Sequence, residues 1–398
     1  MSSDQDGAWT TIGLLYAIGI SGMLVVSVAV PALGGIAAEF RPPSPATIGW
    51  IMSMPALAAA LASLGVGWLV DRFGDRHVMV AGGILVAISN IGVISSRLIE
   101  PLLAWRIIGG LGYVCVVVAA VTMMTRLTRG RRRATALALW STVIPASFIV
   151  ASIYGVTIGK SFDWRAVFIG HAVIVLALVG AGWLVIPNRE SAGALAGRLA
   201  GIGAVFRTPW PFVLGLSFAA AAFLQTGFVA MLPRMLSDTI GASEATVHSF
   251  NAIAMLWNVL GAFSFGWLYT RGVACWKIGI VAVLLCTFAA LMLIIAPTSL
   301  SVAIAMNCLL MLGLGVLVGM WALLPVVAPS ITCMGATSGL ITQVTVLGVL
   351  FGPPAAFAAN AAGTHGLLIY VAIGAVGSLV AWPIWRRPNQ TAMARAAH

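Results

Sequence analysis

The stretch Gly67-Trp68-Leu69-Val70-Asp71-Arg72-Phe73-Gly74-Asp75-Arg76 joins two long apolar runs, residues 46–70 and 77–96. Each run has about the 20 residues that an α-helix needs to cross the ~30 Å hydrocarbon core of a bilayer. A short charged link between two such runs is typical of two membrane helices in succession. It predicts that the chain crosses a membrane on both sides of this link.

The amino-acid composition is that of a membrane protein. Hydrophobic residues make up 61% of the 398 positions, charged residues only 8%, and the mean hydropathy is +1.06. A soluble chain has about 25% charged residues, and a single core stops growing near ~250–300 residues. Backbone groups in lipid must be hydrogen-bonded within the protein, so spans are helices or closed barrels. The apolar runs lack the alternation of barrel strands, so they predict an all-α membrane protein.

Apolar runs of span length recur along the whole chain. The longest polar gap between them, residues 189–208, holds several charges among small residues. It predicts a cytoplasmic linker between an N-terminal six-helix half, 1–188, and a C-terminal six-helix half, 209–398. We predict twelve spans, at 10–38, 46–70, 77–96, 101–125, 134–159, 165–187, 209–236, 245–270, 275–296, 300–328, 333–360 and 364–386.

The distribution of basic residues predicts the orientation. If the N-terminus is inside, fifteen of the 21 Lys and Arg residues fall in inside segments, five fall outside, and Arg106 lies within a span. This asymmetry satisfies the positive-inside rule, so we expect both termini in the cytoplasm and the chain in the inner (plasma) membrane. The formal net charge of +11 then reflects membrane topology and not nucleic-acid binding.

The two halves repeat each other. Gly67–Arg72 aligns with Gly266–Arg271, and the same shift of 199 positions aligns Ser44–Thr47 with Ser243–Thr246. Two matches at one shift, each at the same place in its half, favour duplication of a six-helix unit. Duplicated halves joined by a central linker predict a transporter whose site lies between the halves.

The link between spans two and three resembles the loop signature of the major facilitator superfamily, in the form Gly67-x-Leu69-x-Asp71-Arg72-x-Gly74-x-Arg76. The resemblance covers essentially the whole chain and implies two pseudo-symmetric six-helix bundles that work by alternating access. Glycines at these places allow close helix approach and a tight turn. In the second half Thr270 replaces the acid, so gating is expected to depend mainly on the first half. The implied gating residues are Gly67, Asp71, Arg72, Gly74 and Arg76.

Arg106 opens a second resemblance to the superfamily, the pattern Arg106-x-x-x-Gly110-x-Gly112 at the start of span four. An arginine toward the bilayer centre costs at least ~2.5–3.5 kcal/mol. We therefore expect it to face the protein interior or a wet cavity, as a cation in the transport pathway. The alternative is an arginine that extends to the lipid headgroups.

Other branches of the superfamily match less well. Drug/proton antiporters carry a glycine- and proline-rich motif in span five, which is largely absent from Ser141–Ser147. The pattern Leu232-Pro233-x-x-Leu236-x-Asp238-x-x-Gly241-x-Ser243, together with residues 134–145, resembles the cyanate/nitroimidazole-transporter branch.

Carboxylates are missing from the predicted span interiors. All ten acidic residues lie in loops or at span ends, whereas proton-driven transporters commonly place an acid at mid-membrane depth. His171, early in span six, is interpreted as a packed core residue. We therefore expect uniport or exchange, or proton coupling through the charge of the substrate and Arg106.

The candidate substrate-binding residues follow from the superfamily resemblance, which implies a cavity lined by spans one, four, seven and ten with help from spans five, eight and eleven. Polar side chains on these spans also serve as interhelical contacts, so each has that alternative interpretation. The candidates are Tyr16, Arg106, Tyr113, Gln225, Asn258, Asn307 and Gln343.

Met231 and Met235 are four residues apart and share one helix face. Their spacing resembles the thioether pair of a copper-importing branch of the superfamily, although the nearest partner on span eight is Asn251-x-x-x-Met255 without a histidine. Helix packing also explains the pair.

The leading hypothesis is a secondary active or facilitative transporter that moves a small organic solute, leaning towards an anion. The alternatives are a drug or metabolite efflux pump and a copper importer that uses Met231 and Met235. We expect no enzymatic activity, because no nucleophile–base pair, metal cluster or phosphate-binding loop is present in the sequence. The expected partners are a small-molecule substrate and membrane lipid, with no nucleic acid, no cofactor and no resident metal, and the protein is expected to be a monomer.

Overall fold

The computed structural model describes most of the chain, and every helix or turn below belongs to this part. Inside the helices it leaves a few side chains undescribed, that of Asp71 among them. The described residues are 3–128, 136, 139–140, 142–159, 162–186, 203–295, 299–330 and 334–387.

The described chain is helical and contains no strand. Ten helical segments are long and apolar enough to cross a membrane, and the two shorter apolar helices Val143–Gly155 and Gly363–Leu379 bring the described set to the twelve that hydropathy predicts. This confirms the predicted fold class. The positions of the termini relative to the membrane stay a prediction.

The helices divide into two compact units, one of residues 1–42 and 50–195 and one of residues 43–49 and 196–398. The predicted boundaries of the halves remain a prediction, and residues 189–202 of the predicted linker lie outside the described residues. The helices of the first half of the chain are α1 (Ser3–Ser27), α2 (Leu33–Phe40), α3 (Pro45–Phe73), α4 (Asp75–Ser95), α5 (Ile99–Leu127), α6 (Val143–Gly159) and α7 (Trp164–Val185).

The second half of the chain combines long helices with two helices of four residues. Its eight helices are α8 (Pro209–Ile240), α9 (Glu244–Thr270), α10 (Cys275–Ile295), α11 (Leu300–Gly319), α12 (Leu324–Val327), α13 (Met334–Ala361), α14 (Gly363–Leu379) and α15 (Trp382–Trp385).

Three predicted spans are interrupted. The span predicted at 10–38 breaks after Ser27, where a turn and the 3₁₀ helix Val30–Ala32 precede α2. The span predicted at 300–328 passes through the 3₁₀ helix Met320–Leu323 between α11 and α12, and the last span ends in the short α15. Hydropathy locates the apolar runs, but it does not register these local changes of helix type.

Small residues allow close helix packing within each unit. In the first unit, a methyl group added at Gly82 would lie 2.7 Å from the Gly112 carbonyl oxygen, and one at Gly112 would lie 2.6 Å from the Gly82 carbonyl oxygen. In the second unit, Gly315 of α11 meets the Asn258 backbone of α9 in the same way. Backbones that approach this closely leave no room for a side chain, which is the packing typical of membrane helices.

The repeat seen in the sequence has a structural counterpart in the arginines at the ends of α3 and α9. The Arg72 guanidinium lies 5.3 Å from the centroid of the Trp68 ring. The Arg271 guanidinium lies 3.8 Å from the centroid of the Trp267 ring. Each unit therefore ends its second long helix with the same cation–π pair.

Candidate functional site

Arg106 lies on α5, in the interior of the first unit. Its side chain is completely buried. Nε donates to the carbonyl oxygen of Ile51 at 2.8 Å, Nη2 donates to that of Val25 at 2.5 Å, and the guanidinium lies 5.6 Å from the centroid of the Phe168 ring. The arginine thus joins α5 to α1 and α3 and does not reach lipid headgroups.

Both carbonyls that Arg106 binds are left free by the backbone. Pro55 lies inside α3, four residues after Ile51, and proline has no N–H to donate to the carbonyl at i−4. The other carbonyl belongs to Val25, and α1 ends at Ser27, so Val25 falls among the last carbonyls of a helix, which have no partner within it. A proline inside α3 and the end of α1 therefore each leave one carbonyl free, and a single guanidinium donates to both.

The charge of Arg106 is not compensated nearby. Among the described residues it forms no ion pair, and its third nitrogen, Nη1, is buried without a hydrogen-bond partner. Carbonyl oxygens accept hydrogen bonds but leave the net charge in place. The interior of the first unit therefore holds a fixed cation with one unused donor.

The contact between Arg106 and the free carbonyls of α1 and α3 is one of two polar junctions, by which we mean a buried side chain that donates to a carbonyl left free by the backbone of another helix. The second unit has such a junction on α8. Pro233 lies inside this helix and leaves the Val229 carbonyl without its i+4 donor. The Asn251 side chain of α9 donates from Nδ2 to this carbonyl oxygen at 3.4 Å. Asn251 thus fills, across a helix interface, the hydrogen bond that proline removes.

Asn307 extends this junction to α11. Its Nδ2 donates to Asn251 Oδ1 at 2.9 Å, while its own Oδ1 is buried without a partner. One helical turn from the Val229 contact, Gln225 Nε2 donates to the Met255 sulfur at 3.8 Å. Asn307 is the eighth residue of α11, as Arg106 is of α5, so the two side chains occupy matching places in the two halves.

The other predicted binding residues are more dispersed. Tyr16 shares a 2.7 Å hydrogen bond with the Thr142 hydroxyl, and Asn258 donates from Nδ2 to the Met311 carbonyl oxygen at 3.1 Å. Tyr113 and Gln343 are half-buried, on α5 and α13. Substrate contact by any of these residues stays a prediction.

The family model of the Major Facilitator Superfamily matches residues 15–353. The chain belongs to this superfamily. Among solved structures, a bacterial homolog of the human lysosomal transporter Spinster, in its inward-facing and unoccupied conformation, superposes with a TM-score of 0.77. The sequence identity is 16%, and the superposition covers 96% of each chain. This match confirms the predicted superfamily, and it supports the expectation of a transporter without enzymatic activity.

Two curated relatives are export proteins by name. The multidrug efflux pump LfrA of Mycolicibacterium smegmatis is 28% identical over 208 residues, which are 50% of this chain and 41% of LfrA. The tetracenomycin C resistance and export protein of Streptomyces glaucescens is 24% identical over 289 residues, which are 67% of this chain and 53% of the relative. The chain therefore matches about half or less of the length of these relatives.

Two buried polar groups of this superfamily member escaped the sequence prediction. Asn251 enters the prediction only through its spacing from Met255, and His248, which is buried near the start of α9, is not among the predicted residues. The proline at position 233 was the available signal, because a proline inside a membrane helix requires a donor from elsewhere. The identity of that donor depends on helix packing and cannot be read from the sequence.

His171 has the packed role that the sequence analysis favours. It is fully buried, Asn90 Nδ2 lies 3.0 Å from its Nδ1, and its Nε2 lies 2.9 Å from the Ser21 carbonyl oxygen. Because the amide nitrogen donates and the carbonyl accepts, the ring carries its proton on Nε2. Both ring nitrogens are thus occupied by protein partners.

The predicted gating residues surround the turn between α3 and α4. Gly74 has a φ of 87° and precedes the first residue of α4, which explains the glycine. Gly67 lies inside α3, and a methyl group there would meet none of the described atoms within 4 Å. Close helix packing at Gly67 stays a prediction.

Two charged contacts accompany this turn that the sequence pattern did not predict. Asp75 forms an ion pair with Arg126 near the end of α5. The Arg76 guanidinium lies 4.1 Å from the centroid of the Trp183 ring of α7. These contacts join α4 to α5 and α7 within the first unit. The gating role of Gly67, Asp71, Arg72, Gly74 and Arg76 stays a prediction.

Met231 and Met235 are both buried on α8. No group of three or more His, Cys, Asp and Glu side chains that could hold a metal ion occurs in the described part of the chain. Copper binding by the thioethers of Met231 and Met235 stays a prediction.

Proposed function

We propose that this superfamily member moves a small organic solute, preferentially an anion, across the inner (plasma) membrane by alternating access. The observation that carries the proposal is the charge inside the described helices: one buried arginine and no mid-helix carboxylate. Every acidic side chain that the structure describes lies near a helix end. These are Glu39, Asp75, Glu100, Asp163 and Asp238.

The physical argument concerns the solvation of Arg106. A buried guanidinium loses its hydration, and neutral carbonyls compensate this loss only in part. An anionic solute in the same unit would lower the free energy of the cation, whereas a cationic solute would raise it. The unused Nη1 provides a donor of the geometry that carboxylates accept.

The same distribution of charge supports uniport or exchange, or proton coupling through the charge of the solute. A carboxylate that binds and releases a proton at mid-membrane depth is the usual alternative. No described acid lies at such a place. The cytoplasmic termini, the monomeric state and the gating role of the Gly67–Arg76 turn belong to this proposal.

A thermal-shift screen of the purified protein in lipid nanodiscs tests the proposal. Small carboxylates, cyanate-like anions and lipophilic cations are added separately, and stabilisation identifies the class that binds the folded state. Stabilisation by anions alone is the expected result. Stabilisation by lipophilic cations alone would contradict the proposal.

Export of a drug or metabolite is the second candidate function. LfrA and the tetracenomycin C export protein, which are similar to this chain, favour it. The absence of the glycine- and proline-rich motif from Ser141–Ser147 opposes an antiporter of the drug/proton type. Efflux of lipophilic cations from loaded proteoliposomes would select this function over the first.

A further inference from the structure

The proline junction of the second unit fixes the direction of every hydrogen bond along it. A carbonyl oxygen only accepts, so Asn251 must present its Nδ2 to Val229 and its Oδ1 to Asn307. Asn307 must then present its Nδ2 to Asn251. The Val229 carbonyl, which Pro233 leaves without a backbone donor, therefore sets the orientation of both amides. The series of hydrogen bonds ends at Asn307 Oδ1, which is unpaired.

This free end is an acceptor in an apolar place. Asn307 is 2% exposed, and its Oδ1 has no hydrogen-bond partner. The same helix face carries the buried Leu310 and Met311. A buried acceptor without a donor is unfavourable by about 1–3 kcal/mol, so the site is completed by a group that donates a hydrogen bond.

Two other polar side chains of the junction are not recorded as donors to this acceptor. Gln225 Nε2 is directed to the Met255 sulfur. His248, one helical turn before Asn251 on α9, is buried and has an unpaired Nδ1. The junction thus holds two buried polar side chains with an unpaired atom, His248 on α9 and Asn307 on α11, where α11 is joined to α9 through Asn251.

We propose that Asn307 Oδ1 accepts a hydrogen bond from a hydroxyl or N–H group of the transported solute. The inference rests on the proposed function and adds to it: the solute carries a hydrogen-bond donor in addition to its anionic group. A hydroxylated organic acid has this chemistry. The acceptor at Asn307 is the neutral counterpart of the unused donor at Arg106 in the other half.

Matched solute pairs that differ by one hydroxyl group test the inference. The anionic pair is benzoate and 3-hydroxybenzoate, the neutral pair is acetophenone and 3-hydroxyacetophenone, and the cationic pair, which has no N–H donor of its own, is phenyltrimethylammonium and 3-hydroxyphenyltrimethylammonium. Dissociation constants are measured for the wild-type protein, Asn307→Leu and Asn90→Ala in lipid nanodiscs. Asn90→Ala is the matched control, since it removes a buried amide from the first unit. Asn307→Ala replaces Asn307→Leu if the larger residue prevents folding.

In the wild type and in Asn90→Ala, the hydroxylated member of the binding pair should bind at least about tenfold more tightly. In Asn307→Leu this ratio should fall to about one. A ratio near one in the wild type, as expected if a buried water satisfies Asn307, would overturn the inference. So would a ratio that survives Asn307→Leu, or a failure of all six probes to bind. If only the cationic pair binds, with a ratio that depends on Asn307, the inference holds and the anionic preference is wrong.

Discussion

The junction around Arg106 in the first unit and the junction around Asn251 and Asn307 in the second satisfy the same backbone defect with different chemistry. In the first, one charged side chain reaches the free carbonyls of α1 and α3 directly. In the second, two neutral amides act in succession to reach the free carbonyl of α8. The duplicated halves have thus kept the place of the polar side chain, and they differ in its charge.

The side chain that satisfies the free carbonyl determines the charge of each junction and the group in which the junction ends. A guanidinium has five donors and no acceptor, so a junction built on it ends in a donor. An amide has both, so a junction built on asparagines that begins at a carbonyl ends in an acceptor. The two junctions therefore present opposite hydrogen-bonding character, and of these two only the junction around Arg106 is charged.

Removal of the arginine should have the largest effect. Arg106→Leu leaves the Ile51 and Val25 carbonyls without donors, and each buried polar group left unpaired costs about 1–3 kcal/mol. We expect a loss of roughly 3 kcal/mol or more in the free energy of unfolding, measured by denaturation in mixed micelles. Arg106→Lys should lose less, because the ammonium still donates. Equal stability of Arg106→Leu and wild type would show that the carbonyls are satisfied otherwise.

Restoration of the missing N–H should rescue part of this loss. Pro55→Ala gives α3 a backbone donor for the Ile51 carbonyl. In the Arg106→Leu background it should recover about 1–3 kcal/mol, whereas in the wild-type background the gain should be smaller because Arg106 already fills the acceptor. The double-mutant cycle measures this coupling. Additive effects of the two substitutions would contradict the proline explanation.

The neutral junction should respond in the same way but more weakly. Asn251→Leu leaves the Val229 carbonyl and Asn307 Nδ2 unpaired, and we expect a loss of about 1–2 kcal/mol. Pro233→Ala should rescue the part due to Val229. If Pro233→Ala fails to rescue Asn251→Leu while Pro55→Ala rescues Arg106→Leu, the proline explanation holds for the first unit alone.

The ion pair at the turn between α3 and α4 should have the smallest effect. The Arg126 side chain is 30% exposed and that of Asp75 is 8% exposed, so solvent weakens the pair only in part. Asp75→Asn should lower the free energy of unfolding by about 1 kcal/mol, and high salt should diminish the difference between variant and wild type. A salt-independent loss would point to packing and not to charge.

Much of the fold was accessible from the sequence, because the hydrocarbon thickness sets the span length and the apolar runs are long. The breaks at Ser27 and at Met320–Leu323 were not predicted, since hydropathy is blind to helix type. Arg106 and Asn307 are predicted because they are polar residues on spans that, by the superfamily resemblance, line the cavity. Asn251 was not, because its importance depends on Pro233 in another helix and on the packing that brings the two together.

The preference for anions that Arg106 is proposed to confer is measured by the charge selectivity of transport. Initial uptake rates of benzoate and phenethylamine are measured in proteoliposomes that contain the wild type, Pro55→Ala, or Pro55→Ala with Arg106→Gln. The proline substitution supports the fold, so the last two variants differ chiefly in the buried charge. We predict that benzoate enters faster than phenethylamine in the first two proteins and that this preference is lost in the third. An anion preference that persists without Arg106, or a cation preference in the wild type, would contradict the account.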